Sequence, residues 1–472
     1  SDVYKRQILR RTRRCVLLFF YCRKKPVSGK KNCPAGCFFI TGERDFGRKE
    51  GMLVKKRKRG CRILGWSVFS TAAAALLGGW LFYTWEKIPA SIRIKAGSEQ
   101  ELSLNVPVMG EIYSSCPEKE TVIPVNLSRP VTVMANRTEE YTMDVKLFGV
   151  IPFKTVNVQV IPDEMLVPAG VPIGIYVKTD GILVIAQGDF EGMDHARKEP
   201  AKHLLQPGDY ILKVDQKEVE SKADFTKLVS ESGGRQLVLT IRREEEIFEV
   251  RVQPEQNADG EYKLGIWIRD NAQGVGTMTY LEEDAAFGAL GHGINDTDTA
   301  LLMDVKGGSL YKTEIIAVKK GQDGTPGELT GVIDYNLSNK IGTIDTNSVE
   351  GIFGTVSRAE AEAVQAEAMP IGLKQDVKLG KAQILCCVDG EKSPKSYEVE
   401  IRAVHLDHDN VNRGIELEVT DAALLEQTGG IVQGMSGSPI IQDGKLVGAV
   451  THVLVNDPAR GYGIFIENML GH

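Results

Sequence analysis

From about residue 100 onward the chain alternates apolar and polar positions over short stretches. Val131-Thr132-Val133-Met134 and Val156-Asn157-Val158-Gln159-Val160 are examples. A half-buried strand, whose side chains point alternately to two faces, produces this period. Residues 86–163 therefore read as a linker and a small β-rich module, closed by Pro162 and Pro168. Helical spacing stands out near Ser221–Ser232, where Phe225, Leu228 and Val229 share one face and Ser221 offers an N-cap. Further on, Ile440-Ile441-Gln442 and Lys445-Leu446-Val447-Gly448-Ala449-Val450 flank Asp443-Gly444, a strand–turn–strand pattern. The fold class expected is mainly β (α+β). One segment breaks the rule. Ile63 to Trp85 carries no charge over 23 residues and has Trp66, Trp80, Tyr83 and Trp85 near its ends, which predicts a single N-terminal transmembrane helix.

Charge orients that helix. Residues 1–62 hold 20 Lys+Arg against 4 Asp+Glu, a net +16; the whole chain is −6, so the remainder carries −22. Lys55-Lys56-Arg57-Lys58-Arg59 lies just before the apolar run. A basic flank stays in the cytoplasm, so the expected localisation is a single-pass membrane protein with the body outside the cytoplasm. The acidic body argues against nucleic-acid binding. Residues 1–51 show neither helical nor strand periodicity and are read as lying outside the native coding sequence, with translation from Met52. Their Cys33-Pro34-Ala35-Gly36-Cys37 has no second pair at zinc spacing, so no metal or cofactor is expected. Beyond the apolar run only Cys116, Cys386 and Cys387 remain, too few for a disulfide framework.

Candidate chemistry lies near the C-terminus. In Gly434-Met435-Ser436-Gly437-Ser438-Pro439 small residues surround a serine between two apolar strands. A peptidase nucleophile needs such a loop, which exposes a hydroxyl and points backbone N–H groups at a developing oxyanion. Ser436 is the candidate nucleophile, and the N–H groups of Gly434 and Ser436 are the candidate oxyanion donors. His292, in Gly291-His292-Gly293-Ile294, is the candidate base, and its place before the serine matches chymotrypsin-like order rather than that of α/β-hydrolases. His452 is the competitor. His405-Leu406-Asp407-His408-Asp409 reads as a solvated loop. The acid stays open on the residues alone: Asp296, Asp298, Asp304, Asp345 and Asp421 all lie between base and nucleophile.

Residues 165–255 resemble a PDZ domain. Pro172-Ile173-Gly174-Ile175 is similar to its carboxylate-binding loop, and Leu205-Gln206-Pro207-Gly208-Asp209-Tyr210-Ile211-Leu212-Lys213-Val214-Asp215 to another of its characteristic stretches. Such a domain captures a peptide end or strand. Residues 256–472 are then the serine peptidase domain. The His292 motif, Thr428–Ile440 and Thr451-His452-Val453-Leu454-Val455-Asn456-Asp457-Pro458 together resemble the stage IV sporulation protein B family of serine peptidases, over about residues 52–472. The resemblance implies a chymotrypsin-like double β-barrel behind a membrane anchor, a small β module and a PDZ domain. It implies a self-cleaving serine endopeptidase of endospore formation, secreted into the space between forespore and mother-cell membranes. Its substrates would be itself and an inhibitory membrane-protein complex whose cleavage activates the late mother-cell sigma factor. It also implies Asp421 as the triad acid. An inactive PDZ scaffold that holds membrane partners is the rival function.

Overall fold

The computed structural model describes residues 69–471, except 103, 115–121, 136–139, 389, 391–392 and 407–409. A helix runs over 69–86. Among the described residues no helix is long and apolar enough to cross a membrane, and residues 63–68 of the predicted span lie outside the described set, as do residues 1–62. On this helix Leu76, Leu77 and Phe82 are exposed, whereas Trp80 and Leu81 pack on the module that follows.

That module is a five-stranded sheet in the order Ser91–Lys95, Ile151–Ile161, Glu140–Leu147, Val108–Ser114, Ile123–Asn126. Its inward positions alternate as the sequence pattern requires: Met143, Val145 and Leu147 on one strand face Val156 and Val158 on the next. Polar contacts join it to the body. Lys374 Nζ donates to Ser91 Oγ at 3.2 Å and Gln375 Nε2 to the Arg93 carbonyl at 2.7 Å.

Two six-stranded barrels follow, and the chain is mainly β. The first is formed by Pro172–Gln187, Val305–Lys319, Lys340–Ser348, Gly351–Val356, Ala286–Ala289 and Ile266–Leu281, and closes where Ile266–Leu281 pairs back on Pro172–Gln187. Ile173, Ile175, Val177, Phe287, Leu310 and Ile352 fill it. The second closes in the order Gly380–Cys386, Lys395–Val404, Ile415–Val419, Asp457–Phe465, Lys445–Leu454, Pro439–Gln442. Ile384, Val399, Leu417, Ile440 and Val450 fill its interior.

The first barrel corrects the expected boundaries. Pro172–Gln187 and Ile266–Leu281 are long antiparallel partners, so the region between them is an insert in the barrel, and the barrel begins at 172 rather than 256. The insert is a sheet of Tyr210–Val214, Leu237–Arg243 and Glu246–Val252 on the 182–183 end of the first strand, with one helix, Lys222–Glu231. Ser221 caps this helix by accepting from Asp224 N, and Phe225 and Val229 enter the insert's core. Pro172, Ile173, Gly174 and Ile175 are not a peptide-binding loop. They lie inside a strand paired on both edges, with Gly174 opposite Val275 on one side and Tyr311 on the other. A methyl group on Gly174 would sit 2.4 Å from Thr313 Oγ1, so this glycine is required by close packing. Their backbone groups are committed to the sheet, and no peptide has access to them.

Candidate active site

Each barrel contributes one half of the site. From the second, Asp421 caps the short helix Ala422–Thr428, Gly429 ends it in the left-handed region at φ 74°, and the chain turns into 431–438. Met435 to Ser438 make a tight turn: Ser438 N donates to the Met435 carbonyl at 3.0 Å, and Gly437 has φ 98° at the third position, which a type II turn demands. A methyl group on Gly437 would lie 2.0 Å from the Thr277 carbonyl, so no other residue fits there. Gly437 N donates to Val450 O, and Val450 N to Ser438 O, fastening the turn to the Lys445–Leu454 strand.

The first barrel grips this turn. Thr277 N donates to Ser436 O at 2.9 Å, Thr277 Oγ1 to Gly434 O at 2.9 Å, and Thr279 Oγ1 to Gly437 O at 2.8 Å. The same barrel supplies His292 on the turn after Ala286–Ala289. Asn347 holds that turn by accepting from Ile294 N and donating to the Ile294 and Met303 carbonyls. Asn412, from the second barrel, donates to Gly291 O at 2.6 Å and to Val349 O at 2.8 Å, while its own carbonyl accepts from Thr451 Oγ1 at 2.6 Å. Sequence reading missed Thr277, Thr279, Asn347 and Asn412. Thr277 and Thr279 carried a signal, two hydroxyls at strand spacing in an otherwise apolar segment.

The turns that carry Ser436 and His292 are thus neighbours across the barrels, with a methyl group on Gly437 placed 2.6 Å from Leu290 N. Gly291 packs on Thr451, and Ser436 Oγ, half-buried, donates to the Thr451 carbonyl at 2.9 Å. His452 follows Thr451, and its ring lies 5.0 Å from that of His292, tilted by 38°. His292 Nδ1 lies 2.9 Å from the Gly293 carbonyl. A carbonyl only accepts, so Nδ1 carries the proton and Nε2 keeps its lone pair. Burial holds the His292 pKa below the usual imidazole value, against a smaller upward pull from the Gly293 bond. Burial, reinforced by the neighbouring His292 and Arg413, pushes His452 down to about 4.

The oxyanion candidates have a clear signature. In the 434–438 turn the N–H groups of Met435, Gly437 and Ser438 bond to Val432, Val450 and Met435 carbonyls, whereas those of Gly434 and Ser436 have no partner among the described residues. Their aim follows from peptide geometry. The C=O and N–H of a trans peptide point in opposite directions. Gln433 O accepts from Leu329 N at 2.8 Å, so the Gly434 N–H faces away from Leu329.

The carboxylates are elsewhere. Asp421 Oδ1 accepts from Ala423 N at 2.9 Å and Leu424 N at 3.0 Å, and Oδ2 from Glu398 N at 3.4 Å, so it caps a helix instead of orienting an imidazole. Asp345 is exposed. Asp304 pairs with Arg242 at 3.0 Å and Asp298 with Arg269 at 2.6 Å. Buried Asp296 organises its own turn through Asp298 N and Thr299 N, with Arg269 Nε 3.0 Å away. Asp407 and Asp409 of the predicted solvated loop lie outside the described residues. Among the described residues no cluster of three or more metal-ligating side chains occurs. Asp421→Ala is therefore expected to cost about 1 kcal/mol of stability through the lost cap, and to leave kcat within about threefold. Thermal unfolding and steady-state hydrolysis check this; a loss of several orders in kcat at unchanged stability would restore Asp421 to the catalytic group.

Comparison with known proteins agrees with the geometry. No curated protein matches the sequence. Residues 260–470 match the family described as SpoIVB peptidase S55. With a double barrel, a small-residue serine turn and the His292 turn both inside the matched stretch, residues 260–470 are of the SpoIVB peptidase S55 family, and the chain is a serine peptidase.

Proposed function

We propose that Ser436 attacks the substrate carbonyl, with His292 as general base and the Gly434 and Ser436 N–H groups as oxyanion donors. The observation that carries this reading is the pair of N–H groups, unpartnered among the described residues, beside a hydroxyl held on the carbonyl of Thr451, the residue on which Gly291 packs. In this scheme rotation about the Ser436 χ1 bond exchanges the Thr451 carbonyl for His292 Nε2. Catalytic hydrogen bonds often form fully only once substrate is bound. His292 takes the proton, the carbonyl oxygen becomes an anion held by two N–H groups, and His292 returns the proton to the leaving amine. Water then clears the acyl-enzyme by the reverse sequence. The Gly293 carbonyl fills the orienting role usually given to a carboxylate. A peptidyl phosphonate is expected to label Ser436 stoichiometrically, read by intact mass and peptide mapping; the unlabelled protein would favour the inactive-scaffold reading.

The finer biology rests on the family. We propose a membrane-anchored, self-cleaving peptidase that acts in endospore formation on an inhibitory membrane-protein complex, so that the late mother-cell sigma factor is activated. The uncharged 63–85 run after a basic block supports the anchor, and with it a body outside the cytoplasm.

The insert supports a PDZ-like peptide site at a different place from Pro172–Ile175. Among the described residues Ile266–Arg269 pairs on one edge only, with the first barrel strand. Along the other edge runs the Lys222–Glu231 helix, whose Lys222 N donates to Asp270 Oδ2 at 2.8 Å. The Leu264 and Gly265 carbonyls are bound by Ala201 N and Gly188 N, which turns the following N–H groups the opposite way. An extended peptide adds to such an edge, with its end in the backbone nest. Leu228, half-buried on the helix, borders this groove. Leu228→Lys is expected to weaken binding of a fluorescein-labelled hexapeptide with a free apolar C-terminus by about tenfold or more in anisotropy titrations, with hydrolysis of a short free peptide unchanged. Equal binding by both proteins would remove the groove from consideration.

A further inference from the structure

Of the two unpartnered N–H groups at the nucleophile turn, one has an evident reason for its aim and the other depends on a side chain. Gly434 N–H is set by a contact with the Glu328–Ile333 strand, which pairs on Val305–Lys319, because Gln433 O is taken by Leu329 N. Ser436 N–H belongs to the peptide whose carbonyl is Met435 O. That carbonyl accepts twice, from Ser438 N at 3.0 Å and from Ser438 Oγ at 2.7 Å. Ser438 is 0 % exposed, so water does not compete for its hydroxyl.

We infer that Ser438 is a positioning residue of the peptidase: its buried hydroxyl pins the Met435 carbonyl into the protein and so aims the Ser436 N–H at the substrate oxygen. The argument is one of peptide geometry. The carbonyl and N–H of the 435–436 peptide are antiparallel, so fixing one end fixes the other. A turn N–H alone holds the carbonyl by one bond, about which the peptide plane tilts; a second donor on the other lone pair removes that freedom. Oxyanion donors act by being aimed in advance of the charge they stabilise, so lost aim falls on the transition state and not on the bound substrate. The Ser438 backbone is itself immobilised, since Val450 N donates to its carbonyl at 2.9 Å. This role also gives a reason for a serine at a position where nucleophile elbows of the Gly-x-Ser-x-Gly type carry glycine.

The inference rests on Ser436 being the nucleophile, and the test separates the two claims. Ser438→Ala, assayed with a peptide substrate, is expected to lower kcat by about tenfold to a hundredfold and leave KM within about twofold. Affinity for a peptide aldehyde, whose hemiacetal oxygen occupies the oxyanion position, is expected to fall by a similar factor, while phosphonate labelling at Ser436 still goes to completion. Ser438→Thr, which keeps the hydroxyl, is expected to restore both. If Ser438→Ala keeps wild-type kcat and aldehyde affinity, the inference is overturned. It is overturned as well if kcat and thermal midpoint drop together and Ser438→Thr restores neither, because the hydroxyl is then a packing element. A failure of the nucleophile reading shows separately, as absent phosphonate labelling of the wild-type protein.

Discussion

Ser436→Ala is expected to lower peptide hydrolysis by about 10⁶-fold, to a residue due to binding and oxyanion donors alone. The change removes one hydroxyl from a half-buried position, and among the described residues that hydroxyl makes a single bond, to the Thr451 carbonyl. The turn itself is held by backbone: Gly437 N to Val450 O, Ser438 N to Met435 O, Thr277 N to Ser436 O. None of these depends on the Ser436 side chain, so stability is expected to move by no more than about 1 kcal/mol. A continuous assay with a fluorogenic peptide, run beside thermal unfolding, reads both quantities. Wild-type-like hydrolysis by the folded variant would end the serine-nucleophile reading. Loss of activity together with unfolding would mean that the Thr451 bond holds the two barrels in register, and Ser436→Cys, which keeps a weak donor, would then be the variant to assay.

How far the sequence carried depends on the range over which each signal acts. The serine turn was legible because its requirements are local: small residues, a left-handed glycine and flanking apolar strands fall within a dozen positions. The Lys222–Glu231 helix was legible for the same reason, through Ser221 and the Phe225/Val229 face. The acid was not. Thr420-Asp421 ahead of a helical stretch suits a triad acid and a helix N-cap equally, and only the bonds to Ala423 N and Leu424 N decide between them. The Pro172–Ile175 assignment failed on topology. An apolar run with glycine resembles a binding loop when read alone, but here it opens a 16-residue strand that serves barrel and insert in turn. The partners of Pro172–Ile175 lie at 274–277 and 310–312, about a hundred residues or more away, and no local pattern reports them. Asn412 escaped notice for a like reason, since its partners Gly291 and Val349 belong to the other barrel.

His292→Ala is expected to cost about 10⁴-fold or more in kcat/KM, and His452→Ala less than about tenfold. The two rings touch, yet their surroundings differ. His292 has its Nδ1 proton fixed on the Gly293 carbonyl, so Nε2 is available as a base without any carboxylate. His452 lies on the Lys445–Leu454 strand opposite Tyr462, its ring desolvated against His292 while the rest of the residue reaches solvent, and among the described residues no hydrogen bond fixes its tautomer. The pH profile gives a second reading of the same assignment. A protonated imidazole accepts no proton, so activity is lost as pH falls through the base's pKa. Burial holds that pKa down in His292, which shifts the acid limb of kcat/KM below the usual imidazole value of about 6.5 rather than above it. A carboxylate partner would have done the opposite by favouring the imidazolium. An acid limb above about 6.5 would therefore bring back a charged orienting group, with Asp421 the first to re-examine. The reverse ranking of the two alanine variants would move the base to His452, the residue next to the carbonyl that Ser436 now holds.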